Sequence, residues 1–186
     1  MRSSDQDNVR HTTDEQGNTV SVHYDDAGNV TLVEADTDGD GRYDTAAVTT
    51  ADGTTLVAHD DDGDGRADTI AHIDRDGDLT QVDTVENGQV VASTLDSNGD
   101  GRPDTLIEDT DRDGYADRVS YDRDGDGRVD YVVADTDGDG QVDTYAADTD
   151  GDGYADSYGG PGGSYGQDDS GSGGYGSGPA QDDTLL

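Results

Sequence analysis

Aspartate recurs along this chain in a pattern that suits one kind of chemistry, the holding of a hard cation. Five tandem rows of thirteen residues begin at Asp96, Asp109, Asp122, Asp135 and Asp148, and two further copies begin at Asp36 and Asp60. All seven share D-x-[DN]-x-D-G-x-x-D, with Asp at positions 1, 5 and 9, Asp or Asn98 at position 3, and Gly at position 6. The candidate ligands are Asp36, Asp38, Asp40 and Asp44; Asp60, Asp62, Asp64 and Asp68; Asp96, Asn98, Asp100 and Asp104; Asp109, Asp111, Asp113 and Asp117; Asp122, Asp124, Asp126 and Asp130; Asp135, Asp137, Asp139 and Asp143; and Asp148, Asp150, Asp152 and Asp156. They use 27 of the 42 Asp residues in a chain with only four Glu. An acidic surface with no fixed positions would use both acids, so the short carboxylate is wanted at set places.

The spacing says what the carboxylates can do. Side chains at positions 1, 3 and 5 converge on one point if the backbone curls around it, and Gly at position 6 permits the sharp turn. Position 7 can add its backbone carbonyl, and Asp at position 9 closes the far side. Five or six oxygens result, and water can complete the ~6–8 that Ca²⁺ takes at ~2.3–2.6 Å. Mg²⁺ wants a tighter octahedron and keeps its waters. Zinc would want His or Cys, which the loops lack. Asp-Gly turns with no ion are the plainer alternative, but a turn needs neither four carboxylates in nine residues nor the same Gly each time. Without a cation such crowding is self-repulsive. Several bound Ca²⁺ ions are therefore expected. The EF-hand is excluded, because it needs Glu at position 12 and flanking helices. Position 12 here is Ala47, Ala71, Ile107, Ser120, Val133, Ala146 or Gly159. A degenerate copy starts at Asp74, with Leu79 where the others have Gly.

At DSNGDGRPDTLIE and DRDGDGRVDYVVA the chain resembles the calcium loops of FG-GAP/VCBS-type repeats, in which such a loop runs into a short apolar strand. That resemblance implies Asp96, Asn98, Asp100 and Asp104, and Asp122, Asp124, Asp126 and Asp130, as calcium ligands. The tandem thirteen-residue spacing is also similar to thrombospondin type 3 repeats. The likeness covers residues 36–158 and concerns the loop.

Short strands must position these loops. Position 11 is apolar in every copy: Ala46, Ile70, Leu106, Val119, Val132, Tyr145 and Tyr158. Stacked on neighbours, such strands predict a thin apolar spine. Val20, Val22 and Tyr24 alternate with polar residues, as do Val30 and Leu32 beyond the turn 25–29, which predicts a hairpin. Ala51-Asp52-Gly53-Thr54 and Glu86-Asn87-Gly88-Gln89 mark two more turns. No capped amphipathic helix is legible. The expected fold is all-β: a short-strand meander or ladder of tandem calcium loops, elongated, with disordered termini. Its expected parts are a flexible N-terminus (1–16), a β-meander with calcium loops (17–108), tandem thirteen-residue repeats (109–158) and a Gly/Ser-rich disordered tail (159–186).

Composition narrows the function. The chain has 186 residues, a net charge of -36, 28% hydrophobic residues and no Cys. That is too little apolar surface for a conventional core, and no disulfide can replace one. All ten basic residues are Arg, too few for a nucleic-acid partner. No apolar run approaches a membrane span, and Met1 to Arg10 lacks the apolar stretch of a secretory signal. Loops of this kind in extracellular modules bind calcium at ~10⁻⁴–10⁻³ M, which places the protein in an extracellular or cell-envelope setting. Gly162-Gly163-Ser164-Tyr165-Gly166 matches G-x-S-x-G by chance in a Gly-rich tail, and no pocket separates carboxylate pKa values, so the expectation is no enzyme. The expected function is a calcium-binding structural or adhesive spacer, with a surface or matrix partner, that folds and stiffens on binding Ca²⁺. A calcium buffer or acidic mineral-binding protein is the alternative. An acidic nucleic-acid mimic fits the fixed Gly and the Asp bias less well, and an accessory module of an enzyme, with catalysis on another chain, is a lesser alternative.

Overall fold

A computed structural model describes residues 8–160 and the backbone of 163–165. Residues 1–7 and the low-complexity tail beyond Tyr165 lie outside the described residues, and with them the expectations of disorder there. Fourteen strands and no helix occur among the described residues. No helix is long and apolar enough to cross a membrane. The chain divides into two compact units, residues 1–101 and 102–186.

The first unit is an antiparallel meander: β1 (Val9–Thr13), β2 (Thr19–Tyr24), β3 (Val30–Asp36), β4 (Thr45–Thr49), β5 (Thr55–His59), β6 (Thr69–Ile73), β7 (Leu79–Glu86) and β8 (Gln89–Leu95). Each strand pairs with its neighbours in sequence, from Val9 opposite His23 to Gln81 opposite Leu95. The strand β1 falls in the segment 1–16 to which the sequence assigned no element. The second unit repeats the scheme with β9 (Thr105–Glu108), β10 (Arg118–Tyr121), β11 (Tyr131–Ala134), β12 (Thr144–Ala147), β13 (Ser157–Gly160) and β14 (Gly163–Tyr165).

Three kinds of turn join the strands. In the five-residue kind one Asp carboxylate does the folding. Asp14 accepts the amides of Gln16 and Asn18 at 2.9 Å each, and Asp25 accepts those of Ala27 and Asn29. Such side-chain mimicry of a backbone turn is what Asp does well. The degenerate copy at Asp74 belongs here: its carboxylate takes the amides of Asp76, Gly77 and Asp78, and Asp74 N–H donates to the Asp78 carbonyl. Asn87 and Gly88 turn the β7–β8 hairpin with φ of 53° and 81°, as a two-residue hairpin turn requires. The third kind is the nine-residue Asp loop.

Val85 is the one buried hydrophobic residue among those described, whereas Ser21, Asp36, Asp83, Asp104, Ser120 and Asp122 are buried polar ones. The expected spine is instead two half-exposed rows. Cross-strand register places Ile107, Val119, Val133 and Tyr145 on one face of the second unit and Leu106, Ser120, Val132, Ala146 and Tyr158 on the other. Successive side chains of a strand point to opposite faces, so position 11 of one repeat lies beside position 12 of the next. Tyr121, Tyr131 and Tyr145 add a ladder with 6.1 Å between ring centroids, and the Arg123 guanidinium lies 4.3 Å from the Tyr131 ring.

Candidate metal centres

Each Asp loop is built by its own carboxylates. Asp36 shows the first device: its two oxygens accept the amides of Gly39 (2.8 Å) and Gly41 (3.0 Å), positions 4 and 6. Asp60, Asp96, Asp109, Asp122, Asp135 and Asp148 do the same in their loops. Position 6 has φ between 82° and 93°, a left-handed conformation that Gly adopts without steric cost. This bears out the reason for its Gly.

Position 9 supplies the second device. The Asp143 carboxylate accepts the Thr136 amide (2.8 Å), the Thr136 hydroxyl (2.9 Å) and the Asp137 amide (3.1 Å). Asp44, Asp117 and Asp156 are held in the same way by Thr37, Thr110 and Thr149, and Asp68 and Asp130 by backbone amides. Asp at 9 thus closes the loop onto positions 2 and 3. The Thr at position 2 was missed in the sequence, although its recurrence in four of seven copies was a visible signal.

Carboxylate oxygens converge in these loops. Asp60, Asp62 and Asp68 each offer one oxygen within 4.8 Å of the others, and so do Asp109, Asp111 and Asp117; Asp122, Asp124 and Asp130; and Asp135, Asp137 and Asp143. Oxygens on opposite sides of a cation ~2.4 Å away would be about 4.8 Å apart, so these groups could hold a metal ion. The sets combine positions 1, 3 and 9. In the first loop the set is Asp36, Asp38 and Asp40, positions 1, 3 and 5, and Asp44 is occupied by Thr37, Thr45 and Asp38. Position 5 accepts the amide of position 7 in the first loop and in others, as Asp40 does from Arg42, Asp64 from Arg66 and Asp126 from Arg128. Asp113, Asp139 and Asp152 do likewise. Asp150 and Asp156 sit in the Asp148 loop with the same bonding pattern. In the Asp96 loop, Asn98 Oδ1 and Asp96 accept the Asp100 amide, and Asp104 belongs to the second unit.

Electrostatics record the crowding. The charges of Asp143 and Asp139, then burial, then the charge of Asp135, raise the Asp137 pKa above the ordinary carboxylate range. At Asp150 the Asp152 amide lowers the pKa, but the charges of Asp152, Asp156 and Asp148 together with burial outweigh it, and the net shift is upward. Position 9 goes the other way. Burial raises the Asp44 pKa, yet hydrogen bonds from Thr37, Thr45 and Asp38 hold it at about 2. Thr110 and Thr149 lower Asp117 and Asp156 chiefly through their hydroxyls, and Thr136 lowers Asp143 chiefly through its amide. The 135–143 and 148–156 loops therefore each hold a stabilised anion at position 9 beside a carboxylate at position 3 that its charged neighbours disfavour.

No family model matches this chain, and no curated protein matches it. Among solved structures it is similar to TarM, with a TM-score of 0.39 and 9% identity over 62% of this chain and 20% of that one. A mutant of S. aureus TarM in complex with fondaparinux, alpha-GlcNAc-glycerol and UDP gives a TM-score of 0.37 at 7% identity, with the same coverage. The chain thus spans about a fifth of the length of the structures it matches. The expectation of no enzyme is corrected on this point. The solved structures it resembles are of TarM, and the expectation is withdrawn. At these scores the likeness carries no argument about what this chain does.

Proposed function

We propose that this protein is a calcium-binding repeat module in which ions held by the Asp loops replace the missing apolar core. One observation carries it: in loop after loop, three carboxylates offer oxygens within 4.8 Å of one another, on a backbone that their own hydrogen bonds have already curled. Calcium suits the site better than other cations because every donor is a hard oxygen and the loop can adjust to a large ion. The loop-level resemblance to FG-GAP/VCBS-type and thrombospondin type 3 repeats points the same way. Metal binding then supplies folding free energy, and the product is a stiff spacer or surface module acting outside the cell or in its envelope, where calcium is plentiful. In the six loops that lie within one unit all four Asp positions take part, with position 5 joining positions 1, 3 and 9 at the ion.

Calorimetric calcium titration with circular dichroism on the same sample tests this. Several ions should bind per chain, with a gain of β signal and compaction on leaving EDTA. Identical scattering profiles in EDTA and in calcium would refute it.

A further inference from the structure

Consecutive loops of the second unit cannot be each other's neighbours. Each joins two antiparallel strands, so the 109–117 and 122–130 loops lie at opposite ends of β10, roughly 13 Å apart along a four-residue strand. Next-but-one loops share an edge, two strand spacings or roughly 9.6 Å apart. Hydrogen bonds join them there. Asp135 N–H donates to the Asp117 carbonyl at 2.8 Å, Asp148 N–H to the Asp130 carbonyl at 2.8 Å, and Asp122 N–H to the Asp104 carbonyl at 2.9 Å. In the first unit Asp60 N–H donates to the Asp44 carbonyl at 2.8 Å. In each case position 9 of one loop fixes position 1 of the next loop on its edge. Arginines at position 7 add a second tie: Arg102 Nη1 reaches the Gly125 carbonyl at 3.4 Å and Arg128 Nη1 the Asp152 carbonyl at 3.3 Å.

We infer that the loops are coupled in files along the sheet edges, so that in the second unit a change in one loop passes to the next-but-one loop and skips the next in sequence. The route runs through a single residue. The carboxylate of Asp117 is tied to Thr110 and Asp111 of its own loop, and its carbonyl is tied to Asp135. Asp135 in turn holds the amides of Gly138 and Gly140. Whatever moves the Asp117 peptide moves the first anchor of the 135–143 loop. That an ion does the moving rests on the proposed function; the hydrogen-bonded files do not.

Amide hydrogen exchange by NMR on the full chain in saturating calcium tests this. Asp117→Ala should speed exchange at Asp135 and Gly140 by about fivefold or more, the weight of one lost hydrogen bond, and leave Gly127 and Gly153 unchanged. Thr110→Val, which removes a hydroxyl and keeps the carboxylate, should give the same pattern at smaller size. Acceleration at Gly127 equal to that at Gly140, or a response confined to residues 109–117, would overturn the inference. If only the calcium assignment failed, calcium would leave the parent's exchange rates unaltered while the Asp117→Ala pattern persisted.

Discussion

Position 4 has φ between 72° and 80° in six of the seven Asp loops, and each time the residue is Gly. The exception is Arg112, at 66°. Its amide still donates to Asp109, at 2.7 Å, so the loop closes at a local backbone cost. A Cβ at Gly39, Gly63, Gly99, Gly125 or Gly151 would meet nothing within 4 Å, so the cost is conformational and not a clash. A left-handed residue with a side chain costs about 1–2 kcal/mol, and Gly returns about 0.4–1 kcal/mol of that through its freedom in the unfolded chain. Arg112→Gly should therefore gain about 0.5–1 kcal/mol, or roughly two- to fivefold tighter binding at that loop if binding and closure are one event. Arg112 has interactions of its own, so Arg112→Ala is the control: it removes them and the charge but keeps the strain. Gly125→Arg should impose the same cost on the 122–130 loop. Calorimetric calcium titration and urea midpoints by circular dichroism read both quantities. The reasoning is refuted if the Gly variant is no more stable than the Ala variant, or if Gly125→Arg costs nothing.

Asp130→Ala should abolish one site and lower calcium stoichiometry by about one ion, since Asp130 belongs to the Asp122 set; unchanged stoichiometry by calorimetry removes it as a ligand. Tyr115 and Tyr154 follow the invariant Gly and are 68% and 73% exposed, so excitation of tyrosine should sensitise bound Tb³⁺, another hard cation that prefers oxygen ligands. Replacing both by Gln should dim the emission at nearly constant stoichiometry, and emission that calcium does not quench would indicate diffuse binding. The Asp44 pKa of about 2 lies below the ~3.9 of an unfolded Asp. Its contribution to stability is thus present above about pH 4 and lost as pH falls through about 2. Carboxyl ¹³C titration of the folded chain in calcium should give an Asp44 midpoint clearly below that of the same residue in urea; equal midpoints contradict the hydrogen-bond assignment.

Much of this molecule is local in origin and therefore legible in the sequence. The nine-residue loops fold on hydrogen bonds between residues two to seven apart, and the same Asp and Gly recur wherever the loop does. The all-β class, the 25–29 turn, the Ala51–Thr54 turn and the Asn87-Gly88 turn follow from equally short-range chemistry. Two other features are local as well. The Asp74 copy, set apart as degenerate, is a five-residue turn between its strands, and Thr at position 2 was passed over because its partner lies seven residues on.

Longer-range features were decided by the tertiary structure. Whether a strand residue is buried depends on which face the cross-strand register gives it, and that register alternates position 11 of one repeat with position 12 of the next, leaving two half-exposed rows in place of one spine. The same antiparallel geometry sends successive loops to opposite edges and brings Asp117 to Asp135, eighteen residues away. Position 9 joins the carboxylate set in four loops, and position 5 does so in the first, at Asp40. Spacing alone shows that four carboxylates can approach a point, because reach depends only on chain geometry. Which oxygens arrive there depends on how the backbone path between the two paired strands aims each carboxylate, and only the folded loop shows Asp40 arriving in the first loop and the position 9 carboxylate in four others.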